Sequence, residues 1–229
     1  MEAERQRRKR DLVASYRIFG AHRWGELGDG HITARDPERT DCMWLVRSTV
    51  AFDRVTENDL VLVGPDGDVV EGEGPINRSA YYIHHPIHDT YPNLVAAAHT
   101  HTQWGTPYST LRQPFRPILQ EACLFWENHA LWLDEEVDIR STDGGYRIAE
   151  CLGHNDGIIL ANHGLLTVGT SVAAAVGAFV TMERVAETHM KAPDAVAISP
   201  ESARKAKEHM FGVPVFEGTF EFLVSRHIR

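Results

Sequence analysis

The chain has 229 residues, of which 43% are hydrophobic and 24% are charged. This length suits one domain that buries its own core, and no apolar run approaches the roughly 20 residues needed to cross a bilayer. The formal net charge of −9 at pH 7 argues against a nucleic-acid surface, because clustered Lys and Arg drive phosphate binding. We therefore predict a single domain over residues 1–229 with no nucleic-acid or membrane partner.

Cellular location is indicated by two features. The basic run RQRRKR at residues 5–10 is predicted to be a solvated helix face, and no uninterrupted apolar stretch typical of a secretory signal follows it. The three cysteines are odd in number and widely spaced, which favours reduced thiols. Both features predict a cytoplasmic protein.

The first part of the chain is predicted to be a helix followed by a hairpin-rich sheet. Apolar residues at helical spacing predict a helix over residues 4–19, and GELGDG at 25–30 ends it before HITARDP. Three short β-rich runs then alternate with turn residues. They are residues 42–47, 59–64 and 68–71.

The middle of the chain is predicted to continue with mixed elements. A helix opens near Asn77, and Pro86 predicts a kink or break in it, because proline lacks the backbone donor. The strand LVAAAHTH follows, and FRPILQEACLFWEN at 115–128 has the pattern of a second helix. LWL and VDI are predicted as short strands.

The last part contains two strand pieces and the longest helical pattern. GIILANHGLLTVG predicts buried strands on either side of Asn162-His163-Gly164, and residues 171–192 form an Ala-rich helical pattern with a Ser/Thr cap. A short helix is predicted over 199–210, and the tail after it is either a helix or an edge strand. This order favours a layered α/β fold, in which helices cover a sheet containing antiparallel hairpins.

Two histidines in AAAHTHT lie two residues apart on a predicted strand. Side chains alternate along a strand, so His99 and His101 point to the same side. Two such imidazoles can share a metal ion, and a third ligand from another strand leaves an open position for water or substrate. His163, between the apolar run IILAN and Gly164, is the predicted third ligand; two satisfied, partly buried imidazoles are the alternative.

A second histidine pair, His84 and His88, has helical i, i+4 spacing. It could hold a second metal, but Pro86 disturbs the helix and no glutamate stands beside the first histidine as in HExxH sites. A core or capping role is therefore the favoured interpretation.

These residues carry a family resemblance. NRSAYYIHHPIH, YPNLVAAAHTHT, ANHGLLTVG and GHITARDP together resemble the class II aldolase/adducin family from about residue 10 to 192. The resemblance implies a three-layer α/β/α domain with a central, mainly antiparallel sheet, usually assembled as a homotetramer. It also implies a divalent metal ion (Zn, Mn, Co or Fe(II)) held by His99, His101 and His163.

The sequence departs from the family pattern at the catalytic acid/base. Sugar-phosphate aldolases of this family carry a catalytic glutamate before the histidine pair. Counting back from His99 places the equivalent position at Ala80 in this sequence. His31 and Arg78 also replace small or polar residues of the phosphate-binding loops, which disfavours a sugar-phosphate substrate. Arg78 and Ser79, at a helix start, are predicted to bind a substrate carboxylate. An arginine that lies on the surface without a substrate contact is an equally weighted alternative for Arg78.

The other candidate catalytic residues are chosen only for their place in the sequence, near a turn, the histidine pair or the family's active-site wall. His31 follows a GDG turn and could donate to a substrate oxygen or cap the local backbone. Glu121 is the remaining carboxylate near the family's active-site wall, although an ion-paired or solvated glutamate is the commoner case. Tyr108 and Trp104 follow the histidine pair and are predicted to line the pocket.

A three-histidine divalent ion acts as a Lewis acid that can stabilise a developing enolate. Retro-aldol cleavage needs a base in addition, whereas decarboxylation needs only this electron sink and a later proton donor. The absent glutamate therefore favours a metal-dependent lyase that decarboxylates a hydroxy- or keto-carboxylic acid, including hydroxyaromatic acids. The alternatives are a non-haem Fe(II) oxygenase acting on an aryl keto or hydroxy acid, a retro-aldol enzyme, and a non-enzymatic binding module like adducin.

Overall fold

The computed structural model describes residues 1–228, and one eight-stranded sheet forms its centre. The strand order is β4-β3-β2-β1-β5-β8-β7-β6, and all neighbours are antiparallel except the parallel pair β6 and β7. The strands are β1 (Gly30–Arg35), β2 (Met43–Val46), β3 (Leu60–Val63), β4 (Val69–Glu71), β5 (Ala96–Thr100), β6 (His129–Trp132), β7 (Gly157–Leu160) and β8 (Gly164–Gly169).

Seven α-helices accompany the sheet within residues 1–228 and form two outer layers. They are α1 (Glu2–Ala21), α2 (Arg78–Thr90), α3 (Gly105–Ser109), α4 (Thr142–Leu152), α5 (Val172–Lys191), α6 (Pro200–Met210) and α7 (Val215–His227). Helices α1, α5 and α7 share one apolar core with the sheet, while α2 and α4 contribute to the apolar clusters on the other face. This arrangement confirms the predicted three-layer α/β/α fold.

Side chains along β1 alternate between the two faces of the sheet, so successive residues face different helical layers. On β1, Ile32 and Ala34 belong to the core beneath α1 and α5. His31 and Thr33 point the other way and contact His84 of α2. The polar face of β1 therefore lies under α2, next to the end of β5.

Helix α2 runs through Pro86 without a break, so a break at this residue, one of the two predicted outcomes, is wrong. Proline leaves the Tyr82 carbonyl without its helical donor, and Gly145 of α4 approaches that carbonyl so closely that a Cβ atom would overlap the oxygen. Close packing of α4 thus covers the Tyr82 carbonyl, the group in α2 that lacks its helical donor. Gly145, which has no Cβ atom, makes this approach possible.

The predicted helix over residues 115–128 is also wrong. Only Glu121–Phe125 forms a short 3-10 helix, and the predicted strand VDI is irregular. Pro114 and Pro117 interrupt the backbone donor series. The free backbone N–H groups of Phe115 and Arg116 donate instead to two histidine rings.

The C-terminal segment resolves into helix α7, which packs against α5 and α1. Phe220 is buried against the core, whereas Phe222 on the opposite side is exposed. No helix within residues 1–228 is both long and apolar enough to traverse a bilayer.

Candidate metal centre

Three histidines from separate parts of the sheet meet at one end of β5. His99 lies within β5, His101 directly follows it, and His163 occupies the turn between β7 and β8. One ring nitrogen from each lies within 4.8 Å of the others. Asn162, with φ at 61°, adopts the left-handed conformation that asparagine tolerates and turns the chain so that His163 faces back to His99.

Backbone carbonyls fix the tautomers of two of these rings. His99 Nδ1 lies 2.7 Å from the Leu165 carbonyl oxygen, and His163 Nδ1 lies 2.9 Å from that of Val137. A carbonyl can only accept, so each Nδ1 carries the proton and each Nε2 presents a lone pair. These two Nε2 atoms lie 3.1 Å apart, where two lone pairs repel unless a cation is placed against both.

His101 has a carboxylate partner on its other side. Its Nδ1 lies 3.4 Å from Asp29 Oδ2, which leaves Nε2 as the ring nitrogen available to a metal ion. A carboxylate or carbonyl behind each ligating imidazole is the usual outer shell of a histidine metal site. The donor set therefore fits a divalent ion held through three Nε2 atoms.

A buried glutamate holds the loop that follows His101. The Glu183 carboxylate accepts from the Thr102 hydroxyl at 2.7 Å and from the backbone N–H groups of Trp104 and Gly105 at 2.9 and 2.7 Å. Burial raises the pKa of Glu183, and these donors oppose the shift. The glutamate thus anchors the start of α3 beside the histidine pair.

Burial keeps His99 and His163 neutral. It lowers the pKa of His99 well below the ordinary value, and the neighbouring rings of His163 and His31 act in the same direction. Burial followed by the proximity of His101 lowers the pKa of His163. Neutral imidazole is the form that binds metal, so these two rings are ready for an ion at neutral pH.

A cavity of about 910 Å³ opens next to this centre. His31 lies on its wall, directly opposite His99 in the β1–β5 register. The apolar lining includes Trp24, Leu45 and Phe52. The polar part of the lining includes Arg47, Ser48, Thr49, Asn77 and Arg78, together with two carboxylates, Glu26 and Asp53.

Among the residues predicted to contact substrate, the structure brings His31 and Arg78 to the same cavity. His31 is 3% exposed, whereas Arg78 lies at the rim and donates through Nη1 to the Gly67 carbonyl. Ser79 is outside the cavity lining, and its backbone N–H donates to the Asn77 cap of α2. Its position supports the helix start rather than a substrate contact.

The other three predicted residues lie elsewhere, which corrects the sequence interpretation. Tyr108 is buried in the core, where its hydroxyl donates to the Pro114 carbonyl and its ring stacks on Phe115. Trp104 and Glu121 line a different cavity of about 480 Å³ beside α5, and Glu121 is exposed. Nearness in sequence to the histidine pair did not determine the direction of these side chains.

Several contributors were not singled out from the sequence. Asp29 lies behind His101, Glu183 holds the loop that follows His101, and Thr33 hydrogen-bonds to both His84 and His88. His84 and His88 are buried, which agrees with the favoured core role. Of these, only Asp29 had a visible signal, because it stands in the GDG turn that leads into β1.

The fold and the three-histidine centre define the class of protein. Residues 10–190 match the model of the Class II Aldolase and Adducin N-terminal domain, so the chain belongs to this family. The family assignment from sequence is confirmed.

Individual relatives carry different activities in their names. The chain is 31% identical to the 4-hydroxy-3-prenylphenylpyruvate oxygenase/4-hydroxy-3-prenylbenzoate synthase of Streptomyces roseochromogenus subsp. oscitans, over 86% of this chain and 74% of the relative. It is also 31% identical to Decarboxylase NovR of Streptomyces niveus, over 86% and 76%. The L-fuculose 1-phosphate aldolase from Glaciozyma antarctica PI12 superposes with a TM-score of 0.86 at 31% identity, covering 100% of this chain and 94% of that one.

Proposed function

We propose that this protein is a divalent-metal-dependent lyase that decarboxylates a hydroxy- or keto-carboxylic acid, with an aromatic acid as the preferred substrate class. The observation that carries the proposal is the convergence of ring nitrogens from three histidines beside a cavity whose lining includes both aromatic and cationic side chains. The similarity to a decarboxylase supports the same reaction class.

The ion supplies a Lewis acid that draws electron density from the carbonyl or hydroxyl next to the bond that breaks. Retro-aldol cleavage also needs a base at the place of the family glutamate. Ala80 occupies that place and is buried against Met43 and Val61. This apolar packing supports decarboxylation over aldol cleavage.

The chain's own residues have separate tasks in this proposal. Arg78 binds the anionic group of the substrate at the rim, since its guanidinium offers a fork of donors suited to a carboxylate. Trp24 and Phe52 cover the carbon skeleton and exclude water from it. His31, next to His99, moves the proton between the substrate oxygen and the carbon that loses CO2.

A non-haem Fe(II) oxygenase is the second candidate function. The observation in its favour is the similarity to a relative named as an oxygenase of an aryl pyruvate. The same three histidines would hold the iron and would leave positions open for substrate and O2. Oxygen consumption separates this reaction from simple decarboxylation.

The test is release of CO2 from a panel of aryl hydroxy and keto acids by zinc-, manganese-, cobalt- and iron-loaded protein, in air and under strict anaerobiosis. We expect turnover that is equal in both atmospheres and absent from His99→Ala. Turnover that requires O2 with matching consumption would transfer the assignment to the oxygenase. Binding of metal without turnover of any carboxylic acid would contradict both.

The assembly and location belong to the same proposal. A cytoplasmic homotetramer that takes a small carboxylate as substrate agrees with the family resemblance. Light scattering during size-exclusion chromatography tests the assembly, and a mass of four chains is the expected result. A monomer would contradict the tetramer.

A further inference from the structure

The sheet holds the three candidate ligands to different degrees. His99 lies inside β5, where it is paired with His31 of β1 and Leu166 of β8. His163 lies in the short turn between β7 and β8. His101 is the first residue beyond β5, and 40% of its side chain is exposed. The direction of the His101 ring therefore depends on contacts outside the sheet.

Glu183 of α5 accepts three hydrogen bonds from the segment that joins β5 to α3. Its Oε2 accepts from the Thr102 hydroxyl and from the Gly105 N–H, both at 2.7 Å. Its Oε1 accepts from the Trp104 N–H at 2.9 Å. The Thr102 N–H donates to the Thr106 hydroxyl at 2.9 Å. The residue that directly follows the ligand is thus held through its backbone and through its side chain.

The packing around Glu183 leaves this segment little freedom. Glu183 is 4% exposed, so water does not take the place of its three donors. A Cβ atom on Gly105 would lie 2.7 Å from Glu183 Oε2 and 2.6 Å from a side-chain carbon of Leu165, so only glycine permits the approach. The Leu165 carbonyl is also the acceptor for His99 Nδ1. The segment is therefore packed against the residue that orients another candidate ligand.

We propose that Glu183 is a positioning residue for His101, which it keeps beside His99 and His163 by holding the following segment through Thr102. Glu183 acts through that segment and not as a metal ligand. The proposal rests on the metal centre of the proposed function and is independent of the reaction that the centre catalyses.

The matched variants are Glu183→Gln and Glu187→Gln. Both remove one negative charge from α5, and both side chains line the same cavity of about 480 Å³. In Glu183→Gln an NH2 group replaces one carboxylate oxygen and must face a backbone N–H, so the segment is displaced. Glu187 forms an ion pair with Lys191 instead, which makes Glu187→Gln the control for the loss of charge.

Zinc affinity, measured by competition with a chelator, is the first readout. We expect Glu183→Gln to weaken zinc binding roughly tenfold, the lower end of the range for outer-shell partners of ligating histidines. Glu187→Gln should leave the affinity within about twofold of the wild type, as expected for a site without a shared contact.

The decisive comparison repeats Glu183→Gln in a His101→Ala background. There the substitution should change zinc affinity by less than about twofold, because the ring that Glu183 positions is absent. An equal loss in both backgrounds would overturn the proposal, since Glu183 would then act on zinc by another route.

Thr102→Val and Thr102→Ser test the same contact from its other end and serve if Glu183→Gln fails to fold. Valine keeps the β-branched shape but removes the hydroxyl, whereas serine keeps the hydroxyl. The visible d–d bands of the cobalt(II)-substituted protein report the coordination geometry. We expect these bands to shift in Thr102→Val and Glu183→Gln and to coincide with the wild type in Thr102→Ser. Unchanged bands in Thr102→Val would overturn the proposal.

Failure of this inference and failure of the metal centre give different results. Zinc affinity that depends on His101 but not on Glu183 or Thr102 would overturn the positioning role alone. Zinc affinity that His101→Ala leaves unchanged would contradict the metal centre and the positioning role together. The expected zinc affinities without turnover of any carboxylic acid would contradict the proposed reaction and leave the positioning role intact.

Discussion

Two pairs of histidines in this fold use the same backbone anchor and differ at their second nitrogen. His129 and His189 donate through Nδ1 to the carbonyls of Phe125 and Val185, and His99 and His163 donate to carbonyls in the same way. In the first pair each Nε2 accepts a backbone N–H from the segment that follows Pro114. In the second pair the two Nε2 atoms face each other.

The difference separates a structural histidine from a candidate ligand. His129 and His189 have both nitrogens satisfied, and they hold an irregular segment that its prolines prevent from forming a helix. His99 and His163 have the same fixed tautomer without a donor for the remaining lone pair. A metal ion is the partner that would bind the two remaining Nε2 lone pairs.

The largest effect is expected from His99→Ala. Removing one of three imidazoles should weaken zinc binding on the order of a hundredfold or more, since each ligand supplies a large share of the binding free energy. Competition with a chelator of known affinity measures the loss. Zinc affinity equal to that of the wild type would mean that the ion binds elsewhere.

The reciprocal change is His189→Ala. It leaves the buried Arg116 N–H without an acceptor and opens a cavity, so the free energy of unfolding should fall by about 2 kcal/mol. Zinc affinity should stay within about threefold of the wild type, which makes this variant the control for His99→Ala. Urea unfolding in the presence of a chelator gives the stability change, and a loss of zinc binding here would remove the distinction between the two pairs.

A smaller effect is expected at Asp29, which orients His101 from behind. Asp29→Ala should weaken zinc binding roughly tenfold, the lower end of the range for outer-shell partners of ligating histidines. Asp29→Asn keeps an acceptor for His101 Nδ1 and should lose less. Identical affinities in the wild type and both variants would show that the 3.4 Å contact does not orient the ring.

The smallest effect concerns pH. The pKa of His88 is lowered to about 3, whereas an unfolded histidine titrates near 6.5, so the unfolded state binds more protons between these values. Stability contributed by the neutral ring is complete above about pH 6.5 and is lost as pH falls toward 3.

His88→Gln should reduce this pH dependence. Between about pH 5 and 6 the slope of unfolding free energy against pH should be smaller by up to about 1.4 kcal/mol per unit, the value for one proton. Urea titrations in chelator measure it without metal-linked protonation. Parallel slopes in wild type and variant would show that His88 is protonated in the folded state.

Much of the fold could be predicted because alternation and turn chemistry are local. The runs around β2, β3 and β4 and helix α5 were predicted from such patterns, and the layered architecture followed from their order. Helix α4 was missed because two adjacent glycines weaken its local helical pattern, and the close approach of Gly145 to α2 depends on a distant segment. The wrong helix over 115–128 had suitable apolar spacing, but its prolines and the two histidine acceptors decided the outcome.

The candidate site divides in the same way. The i, i+2 spacing of His99 and His101 predicted a shared direction, and the structure brings His163 to them. The contacts of Asp29 and Glu183 and the hydrogen bonds of Thr33 to His84 and His88 depend on strand register and on packing between distant segments. Residue spacing alone does not reveal them. Glu121 and Tyr108 were chosen for their nearness in sequence, and their backbone directs them elsewhere.

The central claim is that the three Nε2 atoms hold one ion. Diffraction from zinc-soaked crystals at the zinc absorption edge tests it most directly. We expect an anomalous peak about 2.0–2.1 Å from Nε2 of each of His99, His101 and His163, the usual zinc–histidine distance. The absence of a zinc peak between these three histidines at saturating zinc would contradict the claim, and so would an ion bound through Nδ1 of any of the three rings.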